Sequence, residues 1–402
     1  MDCTLDDYRN GQLYLVPPAA ITEVELFTAY FDCLKHKRHS RAALEFELDL
    51  ERNLFGLLEE VNSFSYRPGP YSVFIIDKPV KREVFAASFR DRIVHHLIVN
   101  AINPFMEKRL IYDCYACRVG KGTHFGIERL RHFMASSTDN WKEEAWCLKL
   151  DIKGFFMSID RTVLWKKLRD YLLAVYPYEN LPIVMYLLET VLHTDPTQGC
   201  RFCSPSSKWK DLDPSKSLFV AEKGLGLPIG NLTSQIMANF YLSFLDHYVK
   251  HDLGIEMYGR YVDDFFLIHR DKDYLKECLY GIEHFLNDEL HLRLNPRKVY
   301  LQPVNHGVKF LGVVVEPGHT NVARRTVSNF KKTIDSTNST VRDHRQSKSE
   351  VQRSIASINS YLGLLSHYNT FSVRSLWIDR FDSRFSRRVE KNSKVSRIRF
   401  IC

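Results

Sequence analysis

The sequence predicts an α/β fold in a chain of more than one domain. Three observations carry this. Helical stripes of apolar residues alternate with short runs rich in β-branched and aromatic residues, and two of those runs end on aspartates. The composition, 45% hydrophobic and 26% charged, is that of a globular protein with a large core, which excludes disordered, collagenous and coiled-coil chains. At about 150 residues per domain, 402 residues make two or three domains.

The elements follow in order. Residues 21–62 read as helical, with Val24, Phe27, Tyr30 and Phe31, then Leu48, Leu50, Leu54, Leu57 and Leu58, at helical spacing around a basic patch from Lys35 to Arg41. Ser65 to Pro70 is a Pro- and Gly-rich turn that leads into a strand over Tyr71 to Ile76. Arg90 to Met106 is helical again. Ala145 to Asp151 reads as a short strand ending on an acid, and Ser158 or Asp160 caps the helix from Arg161 to Leu173. Pro, Ser, Asp and Lys dominate 195–218, the mark of a long irregular insertion. Ile236, Met237, Phe240, Tyr241, Phe244, Leu245, Tyr248 and Val249 form one core-facing helical stripe. Glu256 to Ile268 reads as a hairpin with Val262-Asp263-Asp264 at its tip. From Asn321 onward the pattern is helical, basic and Ser-rich, and a domain boundary is expected near Glu316-Pro317-Gly318.

No membrane span is expected. The longest uncharged stretch, Gly224 to Leu245, contains Pro228, Asn231, Thr233, Ser234, Gln235 and Asn239, too polar for a bilayer helix. The acidic start, Met1 to Asp7, lacks the apolar core of a signal peptide, and an odd count of nine cysteines suits a reducing cytoplasm better than a disulfide framework. Residues 321–402 hold 17 Lys and Arg against 6 Asp and Glu, a balance of +11, which leaves −3 for the first 320 residues of a chain with net charge +8. A basic segment on a near-neutral body fits a surface that follows phosphates; a solvated basic bundle is the plainer alternative.

Adjacent aspartates alone mean little, since Asp6-Asp7 is another such pair. What singles out Asp263-Asp264 is an apolar hairpin tip. Two carboxylates about 4 Å apart repel by roughly 4 kcal/mol at an effective dielectric near 20, so such a tip calls for a cation. Asp151, also at a strand end, completes a cluster of hard oxygen donors suited to Mg²⁺, and two such ions support phosphoryl transfer. Exposed turn acids are the plainer reading of the same residues.

The order and spacing of three segments add more. Asp151-Ile152-Lys153-Gly154-Phe155-Phe156, then Gly226 to Gln235, then Tyr261-Val262-Asp263-Asp264 resemble the palm of reverse transcriptases, with Phe310-Leu311-Gly312 where that family has its primer grip. Phe74 to Arg92 and Asp113 to His124 resemble its fingers, and Ser354 to Val373 its thumb helices. The resemblance covers about residues 40–315, some two-thirds of the chain. Ile229 stands where most reverse transcriptases have Gln, and Ser234-Gln235 where they have Ser-Pro. The string Ile229-Gly230-Asn231-Leu232-Thr233-Ser234-Gln235 resembles the bacterial and phage reverse transcriptases of diversity-generating retroelements, a lineage related to group II introns and retrons.

This resemblance implies a right-hand polymerase, with fingers and palm in 1–316 and a basic helical thumb and tail in 317–402. It implies RNA-directed DNA synthesis with two Mg²⁺ ions held by Asp151, the Ile152 main chain, Asp263 and Asp264. The nucleotide site would comprise Lys78, Arg82, Phe155, Phe156 as the ring against the sugar 2′ position, Ile229, Gly230, Gln235 and Lys298 as the proton donor to pyrophosphate. Lys81, Arg90 and Arg92 compete with Lys78 and Arg82 for the phosphates, and Arg297 with Lys298. The main chain of Ile152 to Phe155 would cradle the triphosphate. Partners would be an RNA template, the cDNA or primer, dNTPs, a dedicated structured RNA and a small basic accessory protein, in the cytoplasm and away from membranes. Two other functions remain open: a defence reverse transcriptase copying a noncoding RNA, and an inactive RNA-binding scaffold. Cys114-x-x-Cys117 and Cys200-x-x-Cys203, with His193, have zinc-like spacing, but incidental thiols are the better reading. His95-His96 reads as a packed helical pair.

Overall fold

The computed structural model describes residues 19–401 apart from 36, 39, 78–79 and 344–346. By chain contacts they form two compact units: the described residues up to Gly122 with Leu148–Leu267 and Asp273–Tyr300 in one, and Thr123–Cys147, Ile268–Lys272 and the described residues from Leu301 onward in the other.

The first unit opens with α1 (Glu23–Leu34), α2 (Arg41–Glu47) and α3 (Leu50–Asn62). Thr22 starts α1 through a capping box with Glu25. The antiparallel pair β1 (Ser72–Ile76) and β2 (Arg82–Ala86) follows, then the long α4 (Phe89–Arg109), against which α1 packs. The helix α5 (Thr123–Ser137) belongs to the second unit. Next come β3 (Trp146–Asp151), the single turn α6 (Phe155–Ser158), α7 (Arg161–Val175) and α8 (Leu181–His193). Asp160 caps α7, accepting from Thr162 at 2.8 Å and Val163 at 3.1 Å.

The insertion is less irregular than its composition predicts. Its short strand β4 (Arg201–Phe202) pairs in parallel with β1, Ser72 opposite Arg201. Parallel pairing with a strand far back in the chain leaves no local sequence signal. Cys200 and Cys203 flank β4 as free thiols, and among the described residues no group of three or more His, Cys, Asp or Glu is arranged to hold a metal ion.

The apolar stripe forms α9 (Leu232–His247), buried on nearly all sides and packed on α4. His95 of α4 is buried there with Nδ1 3.3 Å from Thr233 Oγ1, and burial pushes it down to about 4. The hairpin β5 (Met257–Tyr261) and β6 (Asp264–His269) follows, and β5, β6 and β3 lie side by side in that order. Helix α10 (Lys272–Leu290) follows, the first unit runs on to Tyr300, and β7 (Tyr300–Pro303) leads into the second.

In the second unit, β8 (Val308–Phe310), β9 (Val313–Glu316) and β10 (His319–Val322) make an antiparallel sheet whose middle strand meets α5. Glu316-Pro317-Gly318 is thus the turn of the β9–β10 hairpin. Helices α11 (Arg324–Asp343), α12 (Lys348–Leu365), α13 (Phe371–Ile378) and α14 (Ser383–Ser386) enclose a core that includes Phe330, Ile334, Ile358, Leu362 and Phe385. The hairpin β11 (Val389–Lys391) and β12 (Ile398–Phe400) adds strands to a segment whose pattern predicts helix alone. No helix among the described residues is long and apolar enough to cross a membrane.

Candidate active site

Strand β3 delivers Asp151 at its last position, and the β5–β6 tip delivers Asp263 and Asp264 beside it. The two segments are joined by the Ile152 N–H, which donates to the Asp263 carbonyl at 3.2 Å. Asn295 holds the other side: its N–H donates to the Asp151 carbonyl at 2.8 Å. Two lysines reach into the cluster. Lys298 Nζ lies 2.6 Å from Asp151 Oδ2, and Lys149 Nζ lies 2.6 Å from Asp264 Oδ1. Among the described residues, no cationic side chain is in ion-pair contact with Asp263.

Three carboxylates against two ammonium groups leave one negative charge without a counterpart. Asp263 registers it: burial, then the charge of Asp151 and of Asp264, pushes its carboxyl up to about 6. Burial raises Asp264 too, with Lys149 pulling against it. The donors are all oxygens and carry uncompensated charge, which fits a hard divalent cation.

The residues expected around a nucleotide fall into two groups. Phe155 is buried and Phe156 half-buried, their rings 5.4 Å apart and edge to face. Phe156 and Ile229 pack on the same apolar cluster of Tyr71, Val73, Phe85, Met157 and Leu218. Phe85 N–H donates to the Ile229 carbonyl at 2.8 Å, which fastens this loop to β2. Gly230 has φ +119°, and a Cβ there would stand 2.7 Å from Val84 Cγ1 and 2.9 Å from the Phe85 carbonyl oxygen. Gln235 is exposed on α9. The amides of Ile152 and Lys153 are already spent, on the Asp263 carbonyl and on the Arg293 carbonyl at 2.9 Å, so the expected phosphate cradle narrows to Gly154 and Phe155.

Among the fingers cations, Lys81 faces Asp211 at 3.9 Å, Arg90 pairs with Glu60, and Arg92 donates to the Ala87 carbonyl at 2.8 Å. That leaves Arg82, exposed at the start of β2. Lys78 lies outside the described residues. Phe310, Leu311 and Gly312 belong to the second unit, where Leu311 (φ +46°) and Gly312 (φ +91°) turn the chain from β8 into β9.

Sequence reasoning missed Lys149, Asn295 and the buried pair Arg260–Asp246. Lys149 had a signal, since residues two apart on a strand share a face and Asp151 is its neighbour in that sense. Arg260 had another: a lone arginine in a β-rich run.

A family model described as "Reverse transcriptase (RNA-dependent DNA polymerase)" matches residues 78–315. The chain belongs to the reverse transcriptase family. The fold of this reverse transcriptase is that of a right-hand polymerase. No curated protein matches the chain. Solved structures similar to it include apo telomerase from Candida tropicalis truncated from its C-terminal domain (12% identity, TM-score 0.46, 66% of this chain and 59% of that one). Telomerase from Candida albicans in complex with a TWJ fragment of telomeric RNA is similar at 12% identity and TM-score 0.40, over 78% of this chain and 55% of that one. Apo telomerase from Candida tropicalis is similar at 11% identity and TM-score 0.47, over 78% and 59%. The reverse transcriptase thus spans less than two thirds of the length of each of these chains.

Proposed function

We propose that this reverse transcriptase makes error-prone cDNA from the template-repeat RNA of a diversity-generating retroelement, working with a small basic accessory protein. The observation that carries this reading is Ile229. It packs an apolar, β-branched side chain on the same cluster as Phe156, at a position where most of the family has an amide that hydrogen-bonds.

Asp151 and Asp263, with the Ile152 carbonyl, would hold the metal, and Asp264 would support them from its Lys149 pair. Two Mg²⁺ ions, when bound, supply activation of the primer 3′ hydroxyl and neutralise charge on the leaving pyrophosphate. Lys298, paired with Asp151 at 2.6 Å, would give the pyrophosphate its proton. Arg82 meets the triphosphate, and Phe156 excludes ribonucleotides by contact. Residues 317–402 act as a thumb that holds the template–primer duplex through its phosphates.

A polar contact to correct base-pair geometry is worth on the order of 1 kcal/mol, and each 1.4 kcal/mol is tenfold in selection, so a site lacking it discriminates poorly. Ile229→Gln should lower misincorporation opposite template adenine while synthesis continues. Deep sequencing of cDNA made by both variants on one RNA checks this, and equal adenine error rates remove Ile229 from the mechanism. Sequencing the RNA that co-purifies tests the retroelement itself: a structured noncoding RNA without a template repeat would point to a defence enzyme.

A further inference from the structure

The tip that carries Asp263 and Asp264 is anchored from below by a fully buried ion pair. Arg260 on β5 and Asp246 on α9 are both 0% exposed, with Nε 2.7 Å from Oδ1 and Nη2 2.6 Å from Oδ2. The Tyr258 hydroxyl donates to the same Oδ1 at 2.7 Å. The third guanidinium nitrogen, Nη1, donates to the carbonyl of Val262 at 3.0 Å.

Val262 has φ +58°, a conformation that a β-branched residue adopts only under constraint. The main chain of Arg260 is fixed as well: its N–H donates to the Asp113 carbonyl at 2.9 Å, and its carbonyl accepts from the Tyr115 N–H at 2.9 Å. The Val262 carbonyl lies in the peptide plane that precedes Asp263, so whatever holds that carbonyl also aims Asp263. A buried ion pair is a weak stabiliser, because desolvation offsets its attraction, and an apolar pair would fill the space as well. An apolar pair could not hold a carbonyl.

We propose that Arg260 is a positioning residue: its forked pair with Asp246 and its longer contacts to Asn239 fix the guanidinium, and the Nη1 N–H that meets the Val262 carbonyl keeps Val262 left-handed and Asp263 aimed into the metal site. This inference rests on the reading of Asp263 as a metal-binding carboxylate. Lysine at 260 keeps the charge but lacks the planar fork. Asparagine at 246 keeps the shape but loses the charge that locks it.

The test uses the whole chain, with Mn²⁺ binding followed by electron paramagnetic resonance and metal-free melting followed by circular dichroism. Arg260→Lys and Asp246→Asn should each weaken Mn²⁺ binding by about tenfold, or about 1.4 kcal/mol, the scale of one released backbone constraint. Adding Val262→Gly to Arg260→Lys should recover much of that loss, because glycine takes positive φ without steric cost. Unchanged Mn²⁺ binding with a lower melting temperature, or a double variant no better than Arg260→Lys, overturns the proposal. If neither buried-pair variant folds, Val262→Gly alone decides: a clamp on a strained residue predicts no drop in melting temperature, and a drop of several degrees overturns it. Asp263→Asn separates this inference from the reading beneath it. If that variant still binds Mn²⁺, the metal-site reading fails; if it does not bind while Arg260→Lys binds normally, only the clamp fails.

Discussion

Replacing Asp263 by asparagine should have two opposite effects, one on activity and one on stability. The substitution keeps the shape and removes the charge, so nucleotide incorporation should fall to background while RNA binding persists. Retention of more than a few per cent of activity would refute the metal role. In the metal-free fold, burial and the charges of Asp151 and Asp264 move the Asp263 carboxyl from 3.8 to about 6. At 1.36 kcal/mol per decade, holding it charged costs roughly 3 kcal/mol, part of it shared with the neighbouring carboxylates, so about 1–3 kcal/mol is released on neutralisation. The variant should therefore melt higher than wild type by roughly 2–6 °C at neutral pH in the presence of a chelator. The sign with pH is fixed. A carboxyl raised in the fold stabilises fully below its unfolded value of 3.8 and loses that contribution as pH rises through about 6. The advantage of Asp263→Asn should thus be full above pH 6 and vanish near pH 4, as wild type takes up its proton. Thermal melts by circular dichroism across this range decide it. A variant that melts lower than wild type at neutral pH, or a gap that does not close in acid, would refute the idea of an uncompensated charge.

Two further outcomes are expected. Phe156→Ala should admit ribonucleotides and, because the ring is half-buried in its apolar cluster, cost about 1–3 kcal/mol, less than the 3–5 of a fully buried ring; rNTP incorporation that does not rise relative to dNTP incorporation argues against contact exclusion. Neutralising Arg384, Arg387 and Arg388 together should weaken template–primer binding and flatten its log–log salt slope by up to about 2.7, at 0.9 per phosphate contact. An unchanged slope would mean that these side chains face solvent in the complex.

Local features were legible in the sequence and long-range ones were not. The strand ending on Asp151, the hairpin tip at Asp263, the Asp160 cap and the α9 stripe each follow from periodicity or capping within a short window. The pairing of β4 with β1 does not, because parallel strands meet across an intervening stretch with no turn to mark them. Arg260 and Asp246 lie on different elements, and only the fold shows that each neutralises the other. The lysines on Asp151 and Asp264 explain how carboxylates that repel one another coexist, which a count of acids left open. The left-handed Val262 was invisible for a different reason: nothing in a valine advertises positive φ, and the constraint comes from a buried side chain beneath it.

The second unit is stitched from three separate stretches of chain, and this bears on how the protein is made. Helix α5 buries Ile127, Leu130, Phe133 and Met134, yet its partner strand β9 emerges about 175 residues later. At roughly 5–20 residues per second, a nascent chain carries that apolar face without its strand for about 10–35 s. During this interval the helix is a site for chaperones or for mispairing with another nascent chain. Truncation between Ser137 and Val313 leaves this helix without its strand for good. Shortened versions of this enzyme should therefore aggregate even where Asp151, Asp263 and Asp264 are all retained, and their solubility should return when β8 to β10 are restored.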